Sequence, residues 1–306
     1  MNSKTTSKLT SLKEAIAAHV HDGDVVYVSG WTQLESHAAM HEIIRQKRKN
    51  LVLARAGVNA IFDQAIAAGV ARKLLFSYAG NPGLGLLGPT RRAIERREIE
   101  WEEYTHYQML ARLQAGAAGL SFFPVRSGAG SDLEKVNPML RSVQCPYTDQ
   151  KLSTVPALNP DVAVIHAQRA DAEGNLQVWG VIGDIREAAF ASRRVIATVE
   201  EIVDETVIRS DPNRTIVPGF LVSSLVHCPF GAHPSFAQGY YDRDNRAYAE
   251  WARISRDETE VADYLREWVY DVPDRTAYLE KLGEDHLARL RVSPYPSVPV
   301  DFGRND

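Results

Sequence analysis

Two kinds of hydrophobic pattern alternate along the chain, and their alternation predicts the architecture. Short apolar blocks read as buried strands at Val25–Ser29, Leu51–Ala54, Leu74–Ser77, Phe122–Arg126, Asp161–Ala167 and Arg194–Val199, with a shorter strand over Glu98–Tyr104. Between them, apolar residues recur at helical spacing over Ala38–Arg48, Ala60–Ala68, Thr90–Arg97, Tyr107–Ala118 and Glu187–Ala191. Ser11–Val20 opens the series as an amphipathic helix, because Ser11 followed three residues later by Glu14 forms a capping box. Strand–helix alternation of this kind predicts the α/β class, an open and mostly parallel sheet flanked by helices. The turn-rich Asp171–Asn175 predicts a reversal from Asp161–Ala167 into Leu176–Trp179, and Gly219–Val226 reads as a further strand. From Asn245 onward the pattern is helical and more polar, until a Pro-rich tail over residues 291–306. No linker composition, repeat or low-complexity tract breaks the chain. The Pro-bearing segments Asn137–Pro160 and Asp211–Pro218 read as excursions, so residues 8–290 are expected to form one domain.

Composition narrows the function classes. The 306 residues are 44% hydrophobic and 24% charged, the balance of a globular protein with a sizeable core. A formal charge of −4 and the lack of a basic stripe interleaved with aromatics argue against nucleic-acid binding. The basic run Arg45–Asn50 reads as a solvated helix end. Cys145 and Cys228 are isolated, each followed by proline, and support neither a disulfide framework nor a zinc site. No apolar stretch approaches the roughly 20 residues of a membrane span. The N-terminus has no apolar signal region, so a reducing cytoplasm is the expected setting.

Candidate chemistry begins with Gly83–Gly88, GLGLLG, which fits the dinucleotide pattern G-x-G-x-x-G. That fingerprint requires a tight turn running directly from strand into helix. Here Ala79-Gly80-Asn81-Pro82 intervene before the first glycine and Pro89 follows the last, so a nicotinamide or flavin loop is not expected. More informative are three strand ends rich in glycine and hydroxyl residues. These are Ser29-Gly30-Trp31-Thr32, Ser77-Tyr78-Ala79-Gly80-Asn81 and Ser127-Gly128-Ala129-Gly130-Ser131. Ligands of open α/β sheets bind beyond the carboxyl ends of strands, and these loops would offer donors to carbonyl or phosphate oxygens. His106 sits at another such end, and His166 is placed at the end of its strand. No spacing links His106, His166 or His233 into a metal site, and the serine-hydrolase pattern G-x-S-x-G is absent.

These strand ends coincide with a known family. The segments LTSLKEAIAAHVHDGDVVYVSGWT, ARKLLFSYAGNPGLG, AGAAGLSFFPVRSGAGSDL, PDVAVIHAQRADAEGNLQVWG and PFGAHPSFAQGYYDRDN, in this order, resemble the A (α) subunit of family I coenzyme A transferases of the glutaconate and 3-oxoadipate type. The resemblance covers roughly residues 8–290, and PFGAHPS with VIHAQRADAEGN is its most specific part. It implies the open α/β fold shared by NagB, RpiA and CoA-transferases. It also implies transfer of CoA from an acyl-CoA to a dicarboxylic or 3-oxo acid through a glutamyl-CoA thioester. In two-chain relatives the nucleophilic glutamate lies on the β subunit in a motif S-E-N-G, which this sequence lacks. Ala172-Glu173-Gly174-Asn175 matches the pattern of the α chain instead.

The resemblance therefore implies no catalytic nucleophile on this chain, a β-subunit partner, and inactivity without it. It implies no permanently bound cofactor and no metal, with coenzyme A entering as a substrate. By strand-end position and family pattern, Gly30, Trp31, Thr32, Ser77, Tyr78, Gly80, Asn81, His106, Ser127, Gly128, Gly130 and Ser131 are expected near acyl-CoA and carboxylic acid substrates. Neither nucleic acid nor membrane is an expected partner. Two alternatives share the fold. One is a subunit of a CoA-thioester ring-opening hydrolase or a decarboxylase. In such hydrolases an acidic residue is expected in the region that holds His106 and Tyr107 here, with Glu102 and Glu103 close by. The other is a non-catalytic acyl-CoA-binding module.

Overall fold

The computed structural model describes residues 7–292. The first helix, α1 (Leu12–His19), carries the capping box expected of it. Ser11 Oγ accepts from Glu14 N, and the Glu14 carboxylate accepts from Ser11 N. Such a cap contributes about 1 kcal/mol. Strands and helices then alternate: β1 (Val25–Val28), α2 (His37–Arg45), β2 (Leu51–Ala54), the two-residue β3 (Gly57–Val58), α3 (Ala60–Ala67), β4 (Ala71–Phe76) and β5 (Tyr78–Ala79). Next come α4 (Gly88–Glu95), β6 (Glu100–Glu103), α5 (His106–Ala117), β7 (Phe122–Val125), the single-turn α6 (Leu133–Val136), β8 (Arg141–Gln144) and β9 (Lys151–Pro156). The long strands β10 (Val162–Ala170) and β12 (Arg194–Ile202) enclose β11 (Leu176–Gln177) and α7 (Ile185–Ala191) in sequence. After α8 (Glu205–Ser210), β13 (Thr215–Val217) and β14 (Val222–His227), the remainder is helical: α9 (Asn245–Ile254), α10 (Glu258–Leu265), α11 (Arg275–Leu282) and α12 (Glu284–Leu290).

The central sheet has nine strands. Parallel pairs run β14–β12–β10–β1–β2–β4–β6. The expected reversal after β10 is present, since β11 lies antiparallel to β10 and β13 antiparallel to β11. Parallel strands covered on both faces are apolar on both, and β1 illustrates the period. Val26 and Val28 join Ile43, Ile44, Ile61 and Phe62 in one core, whereas Tyr27 joins Leu113 and Ala188 in another. Helices α2 and α3 supply the first of these layers, and α5 and α7 the second. A third cluster gathers residues of β10 to β14 with Tyr241 and Leu287.

The structure corrects four expectations. The pattern at Phe122–Arg126 predicts a strand of the parallel sheet. Instead β7 pairs antiparallel with β9, which pairs antiparallel with β8, in a separate three-stranded sheet. The segment Asn137–Pro160 is therefore mostly a hairpin, whose strands are hidden in the sequence by Pro138, Pro146 and Pro156 at their ends. His166 lies inside β10 rather than at its end and is fully buried, because the strand continues to Ala170. Gly219–Leu221 is a short 3-10 turn that precedes β14 rather than part of it. The Pro-rich tail falls almost wholly outside the described residues. No helix among the described residues is long and apolar enough to cross a membrane.

The GLGLLG loop serves packing. Gly83 and Gly85 adopt φ of +80° and +103°, and Asn81 bridges to Gly85 in a tight turn. Pro89 occupies the first turn of α4, as its position next to the last glycine requires. A Cβ on Gly88 would lie 1.9 Å from the Ser255 carbonyl oxygen, so this glycine lets α4 meet the C-terminal helices. Gly88→Ala is expected to destabilise the protein by about 1–3 kcal/mol through overpacking. Equal urea midpoints for variant and wild type would show that the contact does not matter.

Candidate functional site

Because β1, β2, β4 and β6 are parallel neighbours, the loops after them emerge along one edge of the sheet. There β3 and β5 form a two-residue ladder, Gly57 opposite Tyr78 and Val58 opposite Ala79. Ser77 and Tyr78 both donate backbone N–H to the Ala56 carbonyl at 2.9 and 3.0 Å, and the Ser77 hydroxyl lies 2.6 Å from the same oxygen. The Ser77 hydroxyl also meets His106 Nδ1, at the first residue of α5. The Trp31 ring stands edge-on to His106, with centroids 4.9 Å apart and planes at 87°. A Cβ on Gly57 would lie 3.5 Å from the Trp31 ring, and one on Gly183 would lie 3.0 Å from Trp31 Cβ. Three residues from three separate stretches of sequence, Trp31, Ser77 and His106, are thus brought together. Partial desolvation of the ring lowers the pKa of His106 from its usual value and so favours the neutral imidazole.

The loop between β1 and α2 is held under backbone strain. Gly30, Thr32 and Leu34 adopt φ of +112°, +57° and +57°, and only the first is a glycine. A Cβ on Gly30 would lie 2.6 Å from the Leu34 carbonyl oxygen, so the loop folds tightly on itself. Neighbouring segments clamp it in that shape. Leu34 N donates to Phe236 O at 2.9 Å, Ser235 Oγ to Thr32 O at 2.7 Å, and Gln33 Nε2 to Trp179 O at 2.7 Å.

The strongest clamp is Glu35, a carboxylate 1% exposed. It accepts from Arg55 Nη2 and Tyr248 OH, each at 2.7 Å, and from Asn59 Nδ2, while His37 Nε2 lies at 3.4 Å. Burial alone would raise its pKa. The Arg55 guanidinium and the contacts with His37 and Tyr248 outweigh burial and hold the carboxyl well below its usual range. Breaking a buried ion pair by removing one partner is strongly destabilising, and on the carboxylate side this pair is also supplied with donors from Asn59 and Tyr248, while Arg55 engages it through Nη2.

The third loop, Ser127–Ser131, follows β7 of the small sheet and not a strand of the main one. It reaches the same edge through α5. Ser127 Oγ lies 2.7 Å from Thr105 Oγ1, and Gln108 Nε2 donates to Ser127 O at 2.9 Å. Gly128, at φ +82°, has no room for a Cβ, which would lie 2.5 Å from Gln108 Nε2. Gly130, at φ +75°, faces open space, and Ser131 Oγ donates to Gly128 O at 2.7 Å. Tyr78 is 44% exposed and folds its phenol over Gly80. Asn81 turns inward, buried, and its Oδ1 accepts from Ala60 N at 3.1 Å at the start of α3.

Two buried polar clusters support this edge from behind. His166 meets Glu200 Oε1 at 2.6 Å and Thr198 Oγ1 at 2.8 Å. Glu200 also accepts from Tyr241 OH at 2.6 Å and from Phe230 N at 2.7 Å. Gly231 of PFGAHPS packs against the His166 ring, where a Cβ would lie 2.6 Å from Cε1. The two most specific sequence segments therefore touch. In the second cluster, His233 meets Tyr278 OH through Nδ1 and Asp244 Oδ2 through Nε2, both at 3.0 Å, and His286 Nε2 meets the same oxygen at 2.6 Å. Among the described residues this is the one group with three metal-ligating atoms gathered, all within 4.8 Å of one another. Hydrogen bonds already engage each of those atoms. Burial pushes the His233 pKa down to about 4.

Glu35, Arg55 and the His166–Glu200 pair escape a reading by strand ends, because their partners lie far away in sequence. The available signal was charge in apolar surroundings: Glu35 beside His37 before an apolar helix, and Arg55 directly after a buried strand.

Known proteins share this arrangement of strands and loops. The sequence model of the family described as "Coenzyme A transferase" matches residues 9–227. In Pseudomonas knackmussii, the A chain of 3-oxoadipate CoA-transferase is 43% identical over 281 residues, which is 91% of this chain and 99% of the relative. The crystal structure of glutaconate coenzyme A-transferase from Acidaminococcus fermentans superposes with a TM-score of 0.91 at 31% identity, covering 94% of this chain and 96% of its own. The cholesterol ring-cleaving hydrolase IpdA subunit of Rhodococcus jostii is 28% identical over 84% of this chain and 92% of its own length.

The Glu35 cluster generates a stability prediction. Glu35→Gln leaves Arg55 buried without its counter-charge, at an expected cost of about 3–5 kcal/mol. The folded pKa of Glu35 lies below the unfolded value of 4.5, so its contribution is complete above that pH and is lost as pH falls below it. Urea melts from pH 7 down into the acid range should show the gap between wild type and Glu35→Gln narrowing. A gap that stays constant with pH would contradict this account.

Proposed function

The chain belongs to the coenzyme A transferase family, and on that premise we propose that it works as the A (α) subunit of a two-chain enzyme of the 3-oxoadipate or glutaconate type. One observation carries the location of the site. Trp31, Ser77 and His106 meet beyond the carboxyl ends of adjacent parallel strands, where open α/β sheets bind ligands. Gly30, Thr32, Tyr78, Gly80, Ser127, Gly128, Gly130 and Ser131 form the rest of the wall, and Asn81 braces it from inside. Coenzyme A enters as a substrate and no resident cofactor is required.

The transfer proceeds through a carboxylate nucleophile. A glutamate carboxylate oxygen of the β partner attacks the thioester carbon, and the CoA thiolate leaves to give a mixed anhydride. The thiolate then attacks the glutamyl carbonyl, forming a glutamyl-CoA thioester and releasing the first acid as its carboxylate. The acceptor acid reverses both steps. This chain lacks the S-E-N-G motif that carries the nucleophile in two-chain relatives. Glu173, in the nearest look-alike motif, is exposed in the turn where Asp171 accepts from Asn175 N at 2.9 Å and from Asn175 Nδ2 at 2.7 Å. The strained loop Gly30–Leu34, Ser77 and the Ser127–Ser131 loop offer N–H and hydroxyl donors to thioester and carboxylate oxygens, the logic of an oxyanion hole. Water exclusion preserves the thioester, and a covering β subunit would supply it. Tyr78 and Tyr107, 44% and 47% exposed beside Ser77 and His106, are suited to lie under such a partner.

Coexpressed with a β chain bearing the glutamate motif, this chain should copurify and exchange CoA between succinyl-CoA and 3-oxoadipate or glutaconate. Alone it should exchange none. Hydroxylamine added with acyl-CoA should inactivate the complex at the β-chain glutamate. Acyl-CoA hydrolysis that survives hydroxylamine would instead identify a hydrolase.

A further inference from the structure

On the reading of this edge as an acyl-CoA site, the position of one proton separates two parts of the substrate. The Ser77 hydroxyl oxygen lies 2.6 Å from the Ala56 carbonyl oxygen, a separation that is repulsive unless a proton lies between them. A carbonyl only accepts, so the single hydroxyl proton points there. The Ser77 oxygen must then accept from His106, whose Nδ1 carries the ring proton. In a neutral imidazole the other nitrogen, Nε2, is left as a bare acceptor. Partial desolvation favours the neutral ring, and no carboxylate pairs with His106 among the described residues to recharge it. Trp31, edge-on to the ring, restrains its orientation. His106 is exposed, and among the described residues its hydrogen bond runs through Nδ1 to Ser77, not through Nε2.

A neutral acceptor selects for donors. The thioester carbonyl and the ionised carboxylates of the acid substrates can only accept. The N–H and O–H donors of an acyl-CoA lie on its carrier, in the amides and hydroxyls of the CoA arm. We propose that His106 Nε2 accepts a hydrogen bond from an N–H or O–H of the CoA arm, so that this residue recognises the carrier and not the acyl group.

The two half-reactions distinguish these contacts. CoA is already covalently attached when the free acid arrives, so a contact to the carrier is present before and during that half-reaction and cancels. A contact to the acyl group would count in both. His106→Asn keeps an amide N–H near the Nδ1 position for Ser77 and removes Nε2. In the complex with its β partner it should lower kcat/KM for acyl-CoA about tenfold, the loss of one hydrogen bond of about 1.4 kcal/mol, and leave kcat/KM for the free acid unchanged. His106→Gln, whose amide oxygen reaches toward the Nε2 position, should recover part of the loss. A survival of the effect in N-acetylcysteamine thioesters names the inner amide as donor, and dependence on intact CoA names an outer amide or hydroxyl. Equal losses for both substrates, or none for either, would overturn the proposal. Nitrogen-15 spectra of the imidazole should show the proton on Nδ1, and a proton on Nε2 would also overturn it. A wild-type complex that exchanges no CoA would refute the functional reading instead, while the spectra still report the tautomer.

Discussion

The buried pairing of Glu35 with Arg55 is the constraint on which the site depends. Neither charge is tolerable alone in an apolar interior, and each is placed where the sheet ends and the loops begin. Glu35 closes the strained turn after β1, and Arg55 opens the connection after β2. Their contact therefore joins two adjacent loops at their bases. Tyr248 brings α9 to the same carboxylate, so the C-terminal helices are tied to the edge that holds Trp31. With its base fixed, the loop can keep Thr32 and Leu34 in the left-handed region, a conformation that costs free energy wherever it occurs.

A second set of polar contacts repeats this device on the other side of β1. His166 and Glu200 sit on neighbouring parallel strands, and Glu200 reaches the PFGAHPS segment through Phe230 N and Tyr241 OH. That segment in turn grips the strained loop through Ser235 and Phe236. The backbone of the proposed site is thus positioned by side chains set behind it. The arrangement suits a chain that contributes shape and hydrogen-bond donors to a site.

Much of the fold is legible along the chain. The capped first helix, the strands Val25–Ser29, Leu51–Ala54 and Leu74–Ser77, and the reversal at Asp171–Asn175 each follow from local pattern. Periodicity and turn chemistry act over a few residues, and the structure keeps all of these elements. The strand Phe122–Val125 is recognisable as a strand, but its sheet is not, because pairing partners are chosen by distant residues. His166 defeats local reading for a related reason. Polar Gln168 and Arg169 look like the end of a strand, yet Gln168 is buried and bonded to Trp179 O, so pairing continues through them.

Local pattern along the chain accounts for the alternation of strands and helices, the glycine- and hydroxyl-rich strand ends, and a family resemblance spread over nearly the whole chain. These properties reside in neighbouring residues and in their order. Folding in three dimensions was needed to show that Trp31, Ser77 and His106 share one edge, that Ser127–Ser131 arrives there from a different sheet, and that Asn81 faces inward. It also decided that Glu35 and Arg55 are partners, and that the Ser77 hydroxyl lies between the Ala56 carbonyl and His106 Nδ1. Each of these is a contact between residues far apart along the chain. Such contacts come into being when parallel strands align their carboxyl ends and burial makes an unpartnered charge or hydroxyl costly.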